Sequence, residues 1–187
     1  MSLRVPPPPA DPPDVEGSAR LAELCPKLAA PLARHRTSRY SLLVRFCETD
    51  LMGIVHHANY LTYMEAGRVD WLRRRGVAYE AWARRGIHLP VVDAHVRYKK
   101  AARFDQTLVI ETTCLGQSRV TVQFGYRIVR GDELICTGET LLACVGADLA
   151  LMRIPEDIAA LLDSAEEEPP SGPAQPPSGA PASGGTP

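Results

Sequence analysis

Residues Glu48–Gly76 read ETDLMGIVHHANYLTYMEAGRVDWLRRRG, and two patterns meet inside them. The first part is a turn. It carries one carboxylate, Asp50, then Gly53, then His56 and His57. From Asn59 onward the pattern is helical. Tyr60, Met64, Gly67 and Trp71 recur at helix spacing, with Leu61 and Leu72 beside them, and form one apolar stripe. Asn59 has the chemistry of an N-cap. Gly76 suits the position just past the helix end. Glu65, Arg68, Asp70, Arg73 and Arg74 lie largely off the stripe, and Asp70 can pair with Arg73 or Arg74. A carboxylate on such a turn stands next to free backbone N–H groups at a helix start, and those groups attract developing negative charge.

Outward from this stretch, the chain resolves into five strand-like segments. Tyr40–Cys47 precedes the turn. After the helix, Val77–Arg85 predicts a second short helix ending at Gly86. The period then becomes two. Val92, Ala94, Val96 and Tyr98 alternate with polar residues. Leu108–Cys114, Val120–Ile128 and Leu134–Gly146 follow, with turns at Gly116-Gln117-Ser118 and Arg130-Gly131-Asp132. Pro155 suits the first position of a last short helix. The short later connections imply antiparallel neighbours. A sheet with one apolar face and one long helix to cover it wraps around that helix. Gly67 would allow the close approach.

The ends of the chain differ in composition. Of 17 prolines, 15 fall outside residues 37–168. Residues 1–36 read as an extended proline-rich tail, with Leu21–Leu32 as its most apolar part, and residues 165–187 as a Pro/Ser/Gly-rich tail. One domain, residues 37–164, remains between them. A net charge of −1 gives no reason to expect nucleic acid or an anionic membrane as partner. Five cysteines without a CxxC pair point to free thiols in a reducing cytoplasm, and Cys47 reads as a small buried strand residue. No apolar run is long enough to span a bilayer, and no signal-peptide core is seen. The five histidines lack zinc-ligand spacing, and no metal or redox cofactor is expected.

Thr49-Asp50-x-x-Gly53-Ile54-Val55-x-His57-Ala58-Asn59-Tyr60, with Glu65-x-x-Arg68 and Trp71-Leu72, resembles the 4-hydroxybenzoyl-CoA thioesterase family. Within it the chain is most similar to the bacterial acyl-CoA thioesterases associated with the Tol–Pal system. Tyr98–Asp105 extends the match, which covers about residues 38–158. The resemblance implies a hotdog fold of the α+β class, a five-stranded antiparallel sheet around one long helix. It implies a thioesterase that cleaves an acyl-CoA to a free acid and coenzyme A, and works as a homodimer or homotetramer with sites between subunits. Asp50 falls on the family's catalytic aspartate. His57 falls where a backbone N–H holds the oxyanion. Gly53, Val55, Asn59 and Tyr60 match the same motif, though capping and core packing also account for Asn59 and Tyr60. Glu65 matches a carboxylate position of another hotdog clade. That clade has His-Gly-Gly where this chain has His57-Ala58-Asn59, which favours a surface salt bridge for Glu65. The phosphates of coenzyme A call for cations, and Lys99, Lys100, Arg103 and Arg119 lie near strand ends. A solvated strand edge is the competing account of each. Two other functions stay open: an enzyme on acyl carrier protein thioesters, or a dehydratase with another acid–base pairing; and a non-catalytic acyl-thioester binding protein.

Overall fold

The computed structural model describes residues 37–164; the expected tails lie outside the described residues. In chain order the elements are β1 (Thr37–Leu43), α1 (Asn59–Arg74), α2 (Tyr79–Arg84), β2 (Val91–Tyr98), β3 (Thr107–Gln117), β4 (Thr121–Arg130), β5 (Glu133–Ala143) and α3 (Glu156–Asp163). The strands form one antiparallel sheet in the order β1-β3-β4-β5-β2. The sheet wraps around α1, so the fold is a hotdog. Strands β3, β4 and β5 neighbour one another through tight turns, as expected. The eight residues between β2 and β3 instead carry the chain across the sheet, and β2 pairs with β5 at the far edge.

Helix α1 buries Tyr60, Tyr63, Met64, Gly67, Trp71 and Leu72. Its core partners are the inward residues of the three central strands, including Ile110, Phe124, Tyr126, Ile128, Cys136 and Leu142. Full burial of a side chain such as Met64 or Leu108 contributes roughly 1.5–3 kcal/mol. Trp71 and Phe124 meet edge to face at 5.3 Å between centroids. Leu61 departs from the expected stripe: it sits on the solvent side, 42% exposed. The close approach expected at Gly67 is present. A Cβ there would lie 2.5 Å from Thr112 Oγ1 and 2.6 Å from Ile110 Cγ2.

Several boundaries differ from the sequence reading. Strand β1 stops at Leu43 instead of reaching Cys47. Residues Phe46–Glu48 form a 3₁₀ turn, because the Glu48 carboxylate folds back onto the Arg45 N–H at 2.8 Å. Cys47 is therefore exposed, not a buried strand residue. Strand β3 runs through Gly116 to Gln117 across a bulge, and Ser118 Oγ closes the next turn by accepting the N–H groups of Val120 and Thr121. Pro155 is the N-cap of α3, not its first residue. Among the described residues no helix is long and apolar enough to cross a membrane.

Alanine at an open helix position gains about 1 kcal/mol over glycine. At position 67 the added methyl strikes two buried β-branched side chains, and overpacking costs about 1–3 kcal/mol. Gly67→Ala is therefore expected to lower stability, read as a lower urea midpoint at unchanged slope. A rise in the midpoint would show that helix and sheet are not in contact at this point.

Candidate active site

Asp50 begins a loop that closes on itself. The Asp50 N–H donates to Ile54 O at 2.9 Å, the Gly53 N–H to Asp50 O at 2.9 Å, and Thr49 bridges Val55. Gly53 sits at φ +69°, a left-handed conformation that L side chains rarely adopt. Asp50 Oδ1 accepts the Met52 N–H at 2.8 Å. Its Oδ2 has no donor among the described residues. The loop is tied down from outside as well. Arg103 Nη1 donates to Gly53 O at 3.2 Å, and the buried Val55 donates its N–H to Ala102 O at 2.8 Å. Arg103 thus has a structural task besides any role with phosphate.

The chain then passes His56 and His57 into α1. The His57 N–H donates to no group among the described residues, while its carbonyl accepts the Tyr98 hydroxyl at 3.0 Å. Both histidines are exposed, their rings 4.2 Å apart. His56 Nδ1 accepts the Ala58 N–H at 3.3 Å, a capping task. Asn59 is not the N-cap. It is the first helical residue, after Ala58, and its side-chain amide donates to Glu48 O at 2.7 Å. Tyr60 is buried and packs edge to face on Tyr63 and Tyr98.

Glu48 joins turn and helix, and sequence reasoning missed it. Its carbonyl accepts both the His56 N–H and the Asn59 amide. Its buried carboxylate accepts the Tyr63 hydroxyl at 2.8 Å, the Arg45 N–H, and two guanidinium N–H groups of Arg45. Burial alone would push this carboxyl upward. The hydrogen bonds from the Arg45 backbone, the Arg45 guanidinium and Tyr63 outweigh it and hold the group below the ordinary glutamate value. Burial, and then the Glu48 carboxylate, push the Tyr63 phenol up. The Arg45-x-x-Glu48 spacing was a visible signal; Tyr63, fifteen residues on, was not.

The remaining candidates divide. Lys99 is exposed at the end of β2, near Tyr98, with no side-chain partner among the described residues. Lys100 pairs with Glu133 at 2.5 Å. Arg119 stands on the β3–β4 turn, and β3 separates it from the Asp50 end of the sheet by about 30 Å. Glu65 is exposed and forms none of the ion pairs expected of it among the described residues. It borders two grooves that flank α1. Among the described residues no cluster could hold a metal ion.

A half-buried carboxylate with one oxygen free, on a turn that leads into a helix start with a free N–H, has the chemistry to accept a proton or add to a carbonyl. Residues 44–162 match the model of the thioesterase-like superfamily, and the chain belongs to that superfamily. Among curated relatives, the YneP protein of Bacillus subtilis is 38% identical over 91 residues, 49% of this chain and 66% of that one, just short of two thirds of its length. The acyl-CoA thioester hydrolase YbgC of Escherichia coli O157:H7 is 30% identical over 108 residues, 57% of this chain and 81% of that one. Among solved structures, a DHNA-CoA thioesterase from Staphylococcus aureus superposes with TM-score 0.61 at 33% identity, covering 65% of this chain and 81% of that one.

The Glu48 carboxyl has a lower pKa folded than unfolded. Its contribution is therefore fully present above the unfolded value, roughly 4.3, and is lost as pH falls through the lower folded value. At neutral pH, Glu48→Gln is expected to cost about 1.5–3 kcal/mol, the usual range for hydrogen bonds to a charged group. The stability gap between wild type and variant should narrow from about pH 6 to about pH 3 in paired denaturation curves. A gap independent of pH would mean that Glu48 is not held as the carboxylate.

Proposed function

We propose that the protein hydrolyses an acyl-CoA thioester to a free carboxylic acid and coenzyme A. Two observations support this reading: one oxygen of Asp50 has no donor among the described residues, and the N–H of His57, seven residues on and just before α1, has no acceptor there. In this reading the thioester carbonyl points at the His57 N–H. That N–H and the helix dipole hold the tetrahedral oxyanion. Asp50 either takes a proton from an attacking water or adds to the carbonyl as nucleophile, giving a mixed anhydride that water then opens. In both routes the thiolate of coenzyme A leaves, and the proton from water ends on it. The names of the E. coli and S. aureus relatives support the substrate class. Placement in the 4-hydroxybenzoyl-CoA thioesterase family, on its Tol–Pal-associated branch, and in the cytoplasm, belongs to the same reading. So does the absence of any cofactor beyond the coenzyme A of the substrate.

The active form in this reading is a dimer at least. Strand β2 ends the sheet, and Val91, Val92 and Tyr98 on it are 44%, 57% and 49% exposed. An exposed apolar edge is a template for pairing. A two-fold axis that pairs β2 with β2 of a second copy sets the two strands antiparallel. The Tyr98 end of one copy, beside His57, then meets the Val91 end of the other. In this reading Lys99, exposed and without a side-chain partner among the described residues, meets a phosphate of coenzyme A, and Arg119 would reach such a site only from a second copy. Residues 37–164 carry the activity without the tails.

Asp50→Asn keeps shape and removes charge. It should lower hydrolysis by about 10²–10⁴ in a thiol-release assay, with folding unchanged. Near wild-type turnover would overturn the assignment and move attention to Glu65. Single turnover in ¹⁸O-water tests the nucleophile: label in the Asp50 peptide marks an anhydride opened at the Asp50 carbonyl, and label only in the acid marks attack of water at the acyl carbon. Sedimentation at micromolar concentration should give a dimer or larger, and a pure monomer would refute the interfacial site.

A further inference from the structure

On one side of α1 a groove of ≈ 300 Å³ opens between the helix and the sheet, near the start of β2. Leu72, Leu89, Phe124 and Leu142 give it apolar walls, and Glu65 and Arg68 are the charged residues on its border. The size suits a small organic group. Arg68 is half-buried there, and its tether is unusual. Its Nη1 donates to the hydroxyl of Tyr126 at 3.0 Å. Tyr126 is fully buried and shares a hydrogen bond of 2.9 Å with Thr140. The guanidinium is therefore fixed from below by a neutral network. No carboxylate among the described residues pairs with it, and Glu65, one turn earlier, does not. A guanidinium has five N–H donors. One is spent on Tyr126, and the positive charge is left without a counter-charge at the wall of an apolar groove.

Within one copy this groove lies at the Val91 end of β2, whereas His57 lies at the Tyr98 end, about 25 Å of strand away. The antiparallel pairing of two β2 edges brings the groove of one copy to the Asp50 loop of the other. An acyl group whose thioester sits at Asp50 and His57 then extends toward that groove.

We propose that Arg68 of the second copy is a specificity-determining residue. It binds an oxygen acceptor, hydroxyl or carboxylate, at the distal end of the acyl group. The inference rests on the thioesterase reading and adds to it the class of acyl group. Apolar walls take the chain, and the free guanidinium N–H groups take the terminal oxygen. A chain ending in a methyl would leave that charge desolvated and unmatched, so it binds less well.

The test is the hydrolysis of hexanoyl-, 6-hydroxyhexanoyl- and adipoyl-CoA by the full chain. Wild type should prefer one or both oxygen-ended esters, and which one tells hydroxyl from carboxylate. Arg68→Met should lower the preference ratio in kcat/KM by about 10- to 100-fold, mostly through KM, the worth of a hydrogen bond to a charged group. Arg68→Lys should keep part of the ratio, and serves if the methionine variant does not fold. An unchanged ratio in the variants that fold, or a wild-type preference for hexanoyl-CoA, overturns the proposal while the thioesterase reading stands. No hydrolysis of any of the three overturns the proposal, and the thioesterase reading falls with it only if 4-hydroxybenzoyl-CoA is left intact as well. Mixing Asp50→Asn with Arg68→Met subunits checks the placement. Half of the dimers then hold one intact site, and about a quarter of wild-type activity on the preferred ester should return. Failure to gain over the unmixed variants would overturn the assignment to a second copy.

Discussion

Helix and sheet touch at Gly67 more closely than a side chain permits, and the rest of the molecule follows from that contact. With Ile110 and Thr112 against the bare backbone of the helix, the β3 strand lies directly along α1. The sheet must curve to bring its other strands to the same helix. Gly138 on β5 answers from the far side: the end of the Met64 side chain occupies the space where its Cβ would be. Two glycines, one on each layer, set how tightly the sheet closes. The turn before α1 inherits its position from a helix that cannot shift along its axis without striking Ile110.

Glu48 converts that fixed helix into a fixed site. Its carbonyl holds the first residues of the helix, and its carboxylate holds Tyr63 one turn further in. The loop from Asp50 to Ile54 hangs from this anchor and spends its own polar groups on itself. The free carboxylate oxygen of Asp50 and the free N–H of His57 lie on either side of this self-bonded loop. Arg45, the outer partner of Glu48, is largely exposed, so its pairing is screened and weaker than the buried bond to Tyr63.

Much of this was legible in the sequence, because the signals were local. The helix stripe, its glycine, the later hairpins and the Asp50 turn all show as spacing within about a dozen residues. Leu61 misled because apolar residues at the edge of a helical stripe can face water without cost. The end of β1 misled because its strand pattern continues past Leu43, and only the Glu48 carboxylate turns the chain. The place of β2 was hidden because its partner, β5, lies some forty residues away. Asn59 was legible as a polar residue at a helix start. Its real acceptor, the Glu48 carbonyl, is a backbone atom that spacing does not reveal. The groove beside Arg68 depends on three strands and two helices at once, and no window of sequence contains it.

Cys47 stands on the 3₁₀ turn directly before Glu48, exposed, whereas Cys114, Cys136 and Cys144 are buried. Burial pushes the Cys136 thiol up to about 12, and Cys144 moves in the same direction, so neither yields a thiolate near neutrality. A maleimide dye therefore discriminates strongly among the described cysteines. With Cys25 replaced by serine, one fluorophore would sit at the mouth of the site, three residues from Asp50 and outside the hydrogen-bonded loop. Its emission would report arrival of a ligand and approach of a second copy in real time, without a chromogenic substrate.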